Sequence, residues 1–130
     1  MDTSDGLIAT LDQLARLNRV SIRIDRDPAD LLHPAAKRVR GVIGVEATAF
    51  LAAVHGEFEL VFTVPESRLE AFEQLEQSLG ITSMRLGRVE AGQGVCVGDR
   101  HLDTARIRNL SSEASGEPRR YLRELLELCS

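Results

Sequence analysis

Two carboxylates and a hydroxyl fall within four residues at the head of the chain, as Asp2, Ser4 and Asp5, and Gly6 and an amphipathic run to Leu17 follow at once. Hard oxygen donors crowded before a helix N-terminus can bind Mg²⁺ and phosphate oxygens together, because the positive helix end favours the anion. The same residues have a plainer reading, since Ser or Asp at an N-cap needs no ligand at all, and on spacing alone the cap is the better one. A domain that begins at its own initiator usually opens with a dispensable tail, so a motif at the very start is expected of a piece of something larger.

Other candidates carry less. Glu57 and Glu59 lie two residues apart on one face of a predicted strand, where they either present carboxylates to a ligand or form a solvated sheet face. Gly92-Gln93-Gly94 lacks the strand-to-helix context of a phosphate loop and reads as a hairpin turn. His33, His55 and His101 share no metal-type spacing, and Cys96 and Cys129 read as free thiols. No Ser/His/Asp order, CxxC pair or P-loop supports hydrolase, redox or Walker-type chemistry.

These groups must be positioned by one domain, since 130 residues with 43% apolar content can bury a single proper core. Trp is absent, so that core is aliphatic, with Phe50, Phe58, Phe62 and Phe72 as its large pieces. A net charge of −4 with no long basic run removes the footprint of a phosphate-backbone binder, so no nucleic-acid partner is expected. No stretch approaches the ~20 apolar residues of a membrane span and no signal-like start is present, so a cytoplasmic protein without membrane contact is expected.

Apolar periodicity predicts a helix over 6–18 and a strand over 20–24. A turn at Pro28, a helix from Pro34 closed by Gly41 and Gly44, and a short helix over 45–54 follow. Phe58, Leu60, Phe62 and Val64 alternate with Glu57, Glu59, Val61 and Thr63, the clearest strand pattern in the chain. Ser67 with Glu70 forms a capping-box pattern ahead of a helix ended by Gly80. Strands over 81–89 and 94–97 are expected to pair antiparallel through the 90–94 turn. Residues 103–117 read as a mobile polar linker, and Pro118 opens a last amphipathic helix expected to dock on this domain or on a neighbouring copy. Mixed helices and a hairpin argue for an α+β or three-layer domain rather than a doubly wound parallel sheet.

Three segments taken together, Met1-Asp2-Thr3-Ser4-Asp5-Gly6-Leu7, Glu57-Phe58-Glu59-Leu60-Val61-Phe62-Thr63-Val64-Pro65 and Gly87-Arg88-Val89-Glu90-Ala91-Gly92-Gln93-Gly94-Val95, resemble the C-terminal half of thiamine-monophosphate kinases, of the aminoimidazole ribonucleotide (AIR) synthetase superfamily. The resemblance runs in order over residues 1 to 102, with 103–117 as linker and 118–130 as terminal helix. It implies a three-layer α/β/α domain, partly ferredoxin-like, with a mainly antiparallel sheet, following an N-terminal half that holds most of the nucleotide and metal site. By resemblance Asp2 and Asp5 ligate Mg²⁺, Ser4 lies against ATP, and the γ-phosphoryl group passes to a phosphorylated small molecule, thiamine monophosphate in the family; this chain alone would be inactive. A homodimer is expected.

The resemblance also departs from the family in two places. Family members read Gly-Gly-Glu-Asp-Tyr-Glu-Leu before the strong strand, and that first glutamate contacts the substrate; this chain reads Val54-His55-Gly56-Glu57-Phe58-Glu59-Leu60. Without a gap Gly56 falls on the substrate glutamate, and with a one-residue deletion Glu57 takes its place, so Glu57 is the substrate candidate and the pocket is altered either way. The aromatic residues that close over the thiamine end in many members are not recognisable after Asp103. The alternative is a domain of the same descent that binds a small molecule or serves assembly without catalysis.

Overall fold

Leu7, Ile8, Leu11 and Ala15 recur at the spacing of one helical face, and in a computed structural model, which describes residues 1–54 and 59–130, they form the inner side of α1 (Leu7–Asn18). Ile8, Leu11 and Ala15 are buried. The helix ends where Arg19 turns left-handed at φ 55 and its N–H reaches back to the carbonyls of Ala15 and Arg16. The next residues enter β1 (Val20–Ile24), in which Ile22 and Ile24 face the core.

The sheet has the order β2-β1-β3-β4, with β2 at Gly87–Ala91, β3 at Gly94–Val97 and β4 at Arg100–His101. β1 runs antiparallel to β2, with Ile22 opposite Val89, and parallel to β3, with Ile22 beside Val95 and Ile24 beside Val97. β3 and β4 pair antiparallel. The α+β class and the mainly antiparallel sheet are as the sequence implies.

The expected hairpin between 81–89 and 94–97 is not formed, because β1 lies between its two arms. The gain is apolar: the parallel register sets Ile22 and Ile24 beside Val95 and Val97 on one face, which direct pairing of β2 with β3 would not bring together. The connection crosses the end of β1 at Gly92, φ 133, where an added Cβ would stand 3.3 Å from the Ser21 Cβ. β2 also begins later than expected. At Gly87 the strands approach so closely that an added Cβ would lie 1.8 Å from the Arg23 carbonyl oxygen.

Two further expectations are corrected. Residues 103–117, expected as a mobile polar linker, contain α5 (Thr104–Glu113), capped by the Asp103 carboxylate accepting from the Arg106 N–H at 3.1 Å. Thr104, Ile107, Leu110 and Ala114 are buried along one side, a helical spacing that the surrounding Ser, Arg and Glu residues obscure in the composition. The strong 58–64 pattern gives no regular strand among the described residues; Leu60 forms an isolated bridge with Asp2. Its partner is the short run of residues 1–3, whose Thr3 N–H bonds to the Glu59 carbonyl and whose Met1 carbonyl accepts from the Val61 N–H, too few residues for a regular ladder, while among the described residues the outer edge of β2 is left unpaired.

Helix α6 (Pro118–Cys129) starts at proline as expected and packs on α5 and on α3 (Ala47–Ala52). With α1, which touches β1, β3, α3 and α5, these helices cover the Ile22–Ile24–Val95 face. By contrast α2 (Pro34–Ile43) and α4 (Leu69–Leu79) bury none of their residues. Gly80 closes α4 in the left-handed region at φ 64, as read from sequence. The capping box does not form, since the Arg68 N–H bonds to the Pro65 carbonyl at 2.8 Å and draws Ser67 into a 3₁₀ turn, Glu66–Arg68, ahead of the helix.

Asp12 lies on the buried side of α1 and ties it to α5. Thr104 Oγ1 donates to its Oδ1 at 2.7 Å, Arg16 Nε to Oδ2 at 2.9 Å, and Arg108 closes the cluster. Burial opposes ionisation of this carboxyl, but Thr104, Arg16 and Arg108 outweigh it and hold the group below the usual carboxylate range.

Candidate functional site

The backbone of residues 1–6 is held on two sides. On one, the Met1 ammonium donates to the Val61 carbonyl at 2.9 Å, the Val61 N–H to the Met1 carbonyl at 2.8 Å and the Thr3 N–H to the Glu59 carbonyl at 3.0 Å. On the other, Thr10 Oγ1 from α1 is shared between the carbonyls of Asp2 and Gly6, at 3.1 and 3.0 Å. A turn closed by the Gly6 N–H on the Thr3 carbonyl at 2.8 Å then feeds the chain into α1. Thr3 and Thr10 are buried, whereas the side chains of Asp2 and Asp5 stand in solvent. A fixed backbone therefore presents two solvent-facing carboxylates at one helix entrance.

Neither Ser4 nor Asp5 caps α1: Gly6 occupies the N-cap and no side chain bonds to the first turn. The hydroxyl of Ser4 donates instead to Asp2 Oδ1 at 2.6 Å, and the Ser4 N–H to the same oxygen at 3.2 Å. The Ser4 hydroxyl, then its N–H, stabilise the anion and hold the Asp2 carboxyl below its ordinary value. Ser4→Ala is expected to return the Asp2 titration toward that value in a carboxyl ¹³C NMR titration; an unmoved midpoint would show that the serine does not hold it.

The donor set suits Mg²⁺. Among the described residues no group of three or more His, Cys, Asp or Glu converges to hold a metal. One or two carboxylates, with water and substrate phosphates filling the remaining positions, is the ordinary ligation of this ion. Both bonds from Ser4 end on Asp2 Oδ1, and the side chains of Asp2 and Asp5 are exposed. Glu57 lies outside the described residues. A cavity of about 220 Å³ lined by Asp27, Arg40, Glu46, Thr48, Arg100 and Cys129 opens elsewhere, and none of the motif residues borders it.

Two features escaped sequence reasoning. The pairing of residues 1–3 with 59–61 carries no short-range signal, although an alternating segment without a sheet partner hinted that one was missing. Asp12 stands four residues after Ile8 and three before Ala15, a core-facing position on α1 that marks an Asp as paired.

Residues 1–100 match the family model described as AIR synthase related protein, C-terminal domain. The chain belongs to this family. This AIR synthase related chain is 35% identical over 97 residues to the thiamine-monophosphate kinase of Pyrococcus horikoshii, covering 75% of this chain and 28% of that protein. The corresponding kinase of Pyrococcus abyssi is 32% identical over 97 residues, with 75% and 27% covered. The crystal structure of thiamine-monophosphate kinase from Stenotrophomonas maltophilia superposes with a TM-score of 0.62 at 31% identity, over 77% of this chain and 31% of that one. That of tt0281 from Thermus thermophilus gives 0.59 at 34% identity, over 78% and 32%. The chain thus spans just over a quarter of the curated relatives it matches. Helices α5 and α6 lie beyond the family match, yet α5 is joined to α1 inside it through Asp12. No helix of the described residues is long and apolar enough to cross a membrane.

Proposed function

We propose that this chain is the C-terminal domain of an ATP- and Mg²⁺-dependent kinase of the thiamine-monophosphate kinase type, supplying acidic metal ligands and part of the substrate wall to a cleft completed by an N-terminal AIR synthase-like half. The observation that carries the reading is the fixed Asp2–Gly6 backbone with its two solvent-facing carboxylates, within the residues 1–100 matched by the family model, in a chain 35% identical over 97 residues to such a kinase.

In this reading Asp2 and Asp5 hold Mg²⁺, which when bound neutralises the crowded phosphate oxygens. Ser4 keeps one oxygen of Asp2 occupied, so that the other is left to the ligand. The uncapped first turn of α1 lies next to these groups and favours negative charge beside it. The γ-phosphoryl group of ATP passes in line to a phosphate oxygen of the acceptor, leaving ADP. With thiamine monophosphate as acceptor the product is thiamine diphosphate, and Glu57 is the substrate contact.

A second reading, a binding or assembly module without catalysis, is favoured by the departure at Val54-His55-Gly56-Glu57 from the family pattern. Thiamine diphosphate formation separates the two. The chain alone is expected to be inert, and the chain joined to an N-terminal AIR synthase-like half is expected to convert ATP and thiamine monophosphate to ADP and thiamine diphosphate. Binding of thiamine monophosphate without turnover by a folded two-part protein would favour the second reading.

A further inference from the structure

The cavity of about 220 Å³ is bordered by α2, α3, β3, β4 and α6 and carries charges of both signs, Arg40 and Arg100 with Asp27 and Glu46. It lies at the opposite end of α3 from the motif: Ala47 and Thr48 in the first turn border it, whereas the Ala53 carbonyl beyond the last turn faces Gly6. One charge of each sign is fixed by the backbone. Arg40 Nε donates to the Val45 carbonyl at 3.1 Å, and Asp27 Oδ1 accepts from the Ala29 N–H at 2.8 Å. Among the described residues the side chains of Arg100 and Glu46 join no ion pair or hydrogen bond, although groups of opposite charge line the same space. Thr48 is 5% exposed and borders the cavity, and its hydroxyl bonds to no other described residue. A buried hydroxyl is ordinarily hydrogen-bonded, so this one is left for whatever fills the cavity.

We propose that the cavity binds a small α-amino acid as its zwitterion, with the carboxylate on the side of Arg40 and Arg100 and the ammonium on the side of Asp27 and Glu46. Two cations and two anions give the lining no excess of either sign. A purely anionic ligand would leave the two carboxylates facing its charge, and a purely cationic one the two guanidinium groups, so each is rejected by half of the site. A ligand carrying both charges satisfies all four groups. The volume suits a molecule smaller than a drug, and Pro28 and Val97 supply apolar wall for a short aliphatic side chain. Arg40 and Asp27, already held by backbone groups, lose little freedom when the ligand enters.

The test is a ¹⁵N–¹H NMR titration of the 130-residue chain with L-valine, and with isovalerate and isobutylamine, which keep the side chain but lack the ammonium and the carboxylate respectively. L-valine is expected to shift the amides of Thr48, Val97 and Arg100 saturably, with a dissociation constant of about 1 mM. Each single-charge analogue is expected to bind about tenfold more weakly or worse, because two charged groups of the lining then go unmatched. Arg100→Gln and Glu46→Gln are each expected to weaken L-valine about threefold or more, with native circular dichroism, since neither side chain holds another described residue. No saturable shift at these amides, isovalerate or isobutylamine binding as tightly as L-valine, or folded variants that bind L-valine as the parent does would each overturn the proposal.

Discussion

Gly6→Ala is expected to lower the stability of the chain by about 2–4 kcal/mol, through two costs that add at one residue. The backbone there has φ 93 and ψ 150, a region open essentially to glycine alone. An added Cβ would also stand 2.7 Å from the Ala53 carbonyl oxygen, and that oxygen belongs to the backbone at the end of α3, which cannot swing aside as a side chain can. Urea denaturation of parent and variant reads the loss directly. Because Gly6 joins the Asp2–Asp5 segment to α1, the variant should also loosen the bonds from Thr10 and Val61 to residues 1–2, visible as faster amide exchange at Val61. Equal stability of the two proteins would show that the close approach of α3 to the motif is not needed.

Asp12→Ala is the second large effect. Breaking a buried pair ordinarily costs about 3–5 kcal/mol, but Arg16 and Arg108 keep part of their guanidinium surface in water, so about 2–3 kcal/mol is expected near neutral pH. The pH dependence follows from the direction of the shift. A carboxyl whose folded value lies below its unfolded one contributes stability that is fully present above the unfolded value, about 3.9, and is lost as pH falls through the folded one. The difference between parent and Asp12→Ala should therefore be constant from neutral pH down to about 5 and shrink below about 4. A difference that grew in acid would mean that Asp12 is buried protonated and that Thr104 alone joins α5 to α1.

That junction also shows why parts of the fold were legible and others were not. Where a segment's own periodicity decides its structure, the sequence suffices: α1, β1, α2 and α6 lie where Leu7–Asn18, Val20–Ile24, Pro34–Ile43 and Pro118–Cys129 place their apolar residues and prolines. Partner choice is another matter. The segments 81–89 and 94–97 read as a hairpin because they are neighbours in sequence, but the pairing was won by β1, far earlier in the chain, through the Ile22–Val95 and Ile24–Val97 contacts. The alternation over 59–64 likewise predicts an extended segment and says nothing of its partner, which is the motif itself. α5 was hidden because only Thr104, Ile107, Leu110 and Ala114 face inward, among residues whose composition is that of a linker. At the candidate site, residue types and order were readable in Asp2, Ser4 and Asp5, while the serine's choice of Asp2 over the helix end required coordinates.

Phosphoryl transfer by the chain joined to an N-terminal AIR synthase-like half, with Asp2→Asn and Asp5→Asn compared against the parent, tests the central claim most directly. Both side chains are exposed, so the thermal midpoint should not move. Each substitution is expected to lower kcat/KM for thiamine diphosphate formation about a hundredfold or more, with partial recovery at raised Mg²⁺. Unchanged turnover in both variants, with folding intact, would contradict the assignment of Asp2 and Asp5 as metal ligands and with it the catalytic reading of this domain.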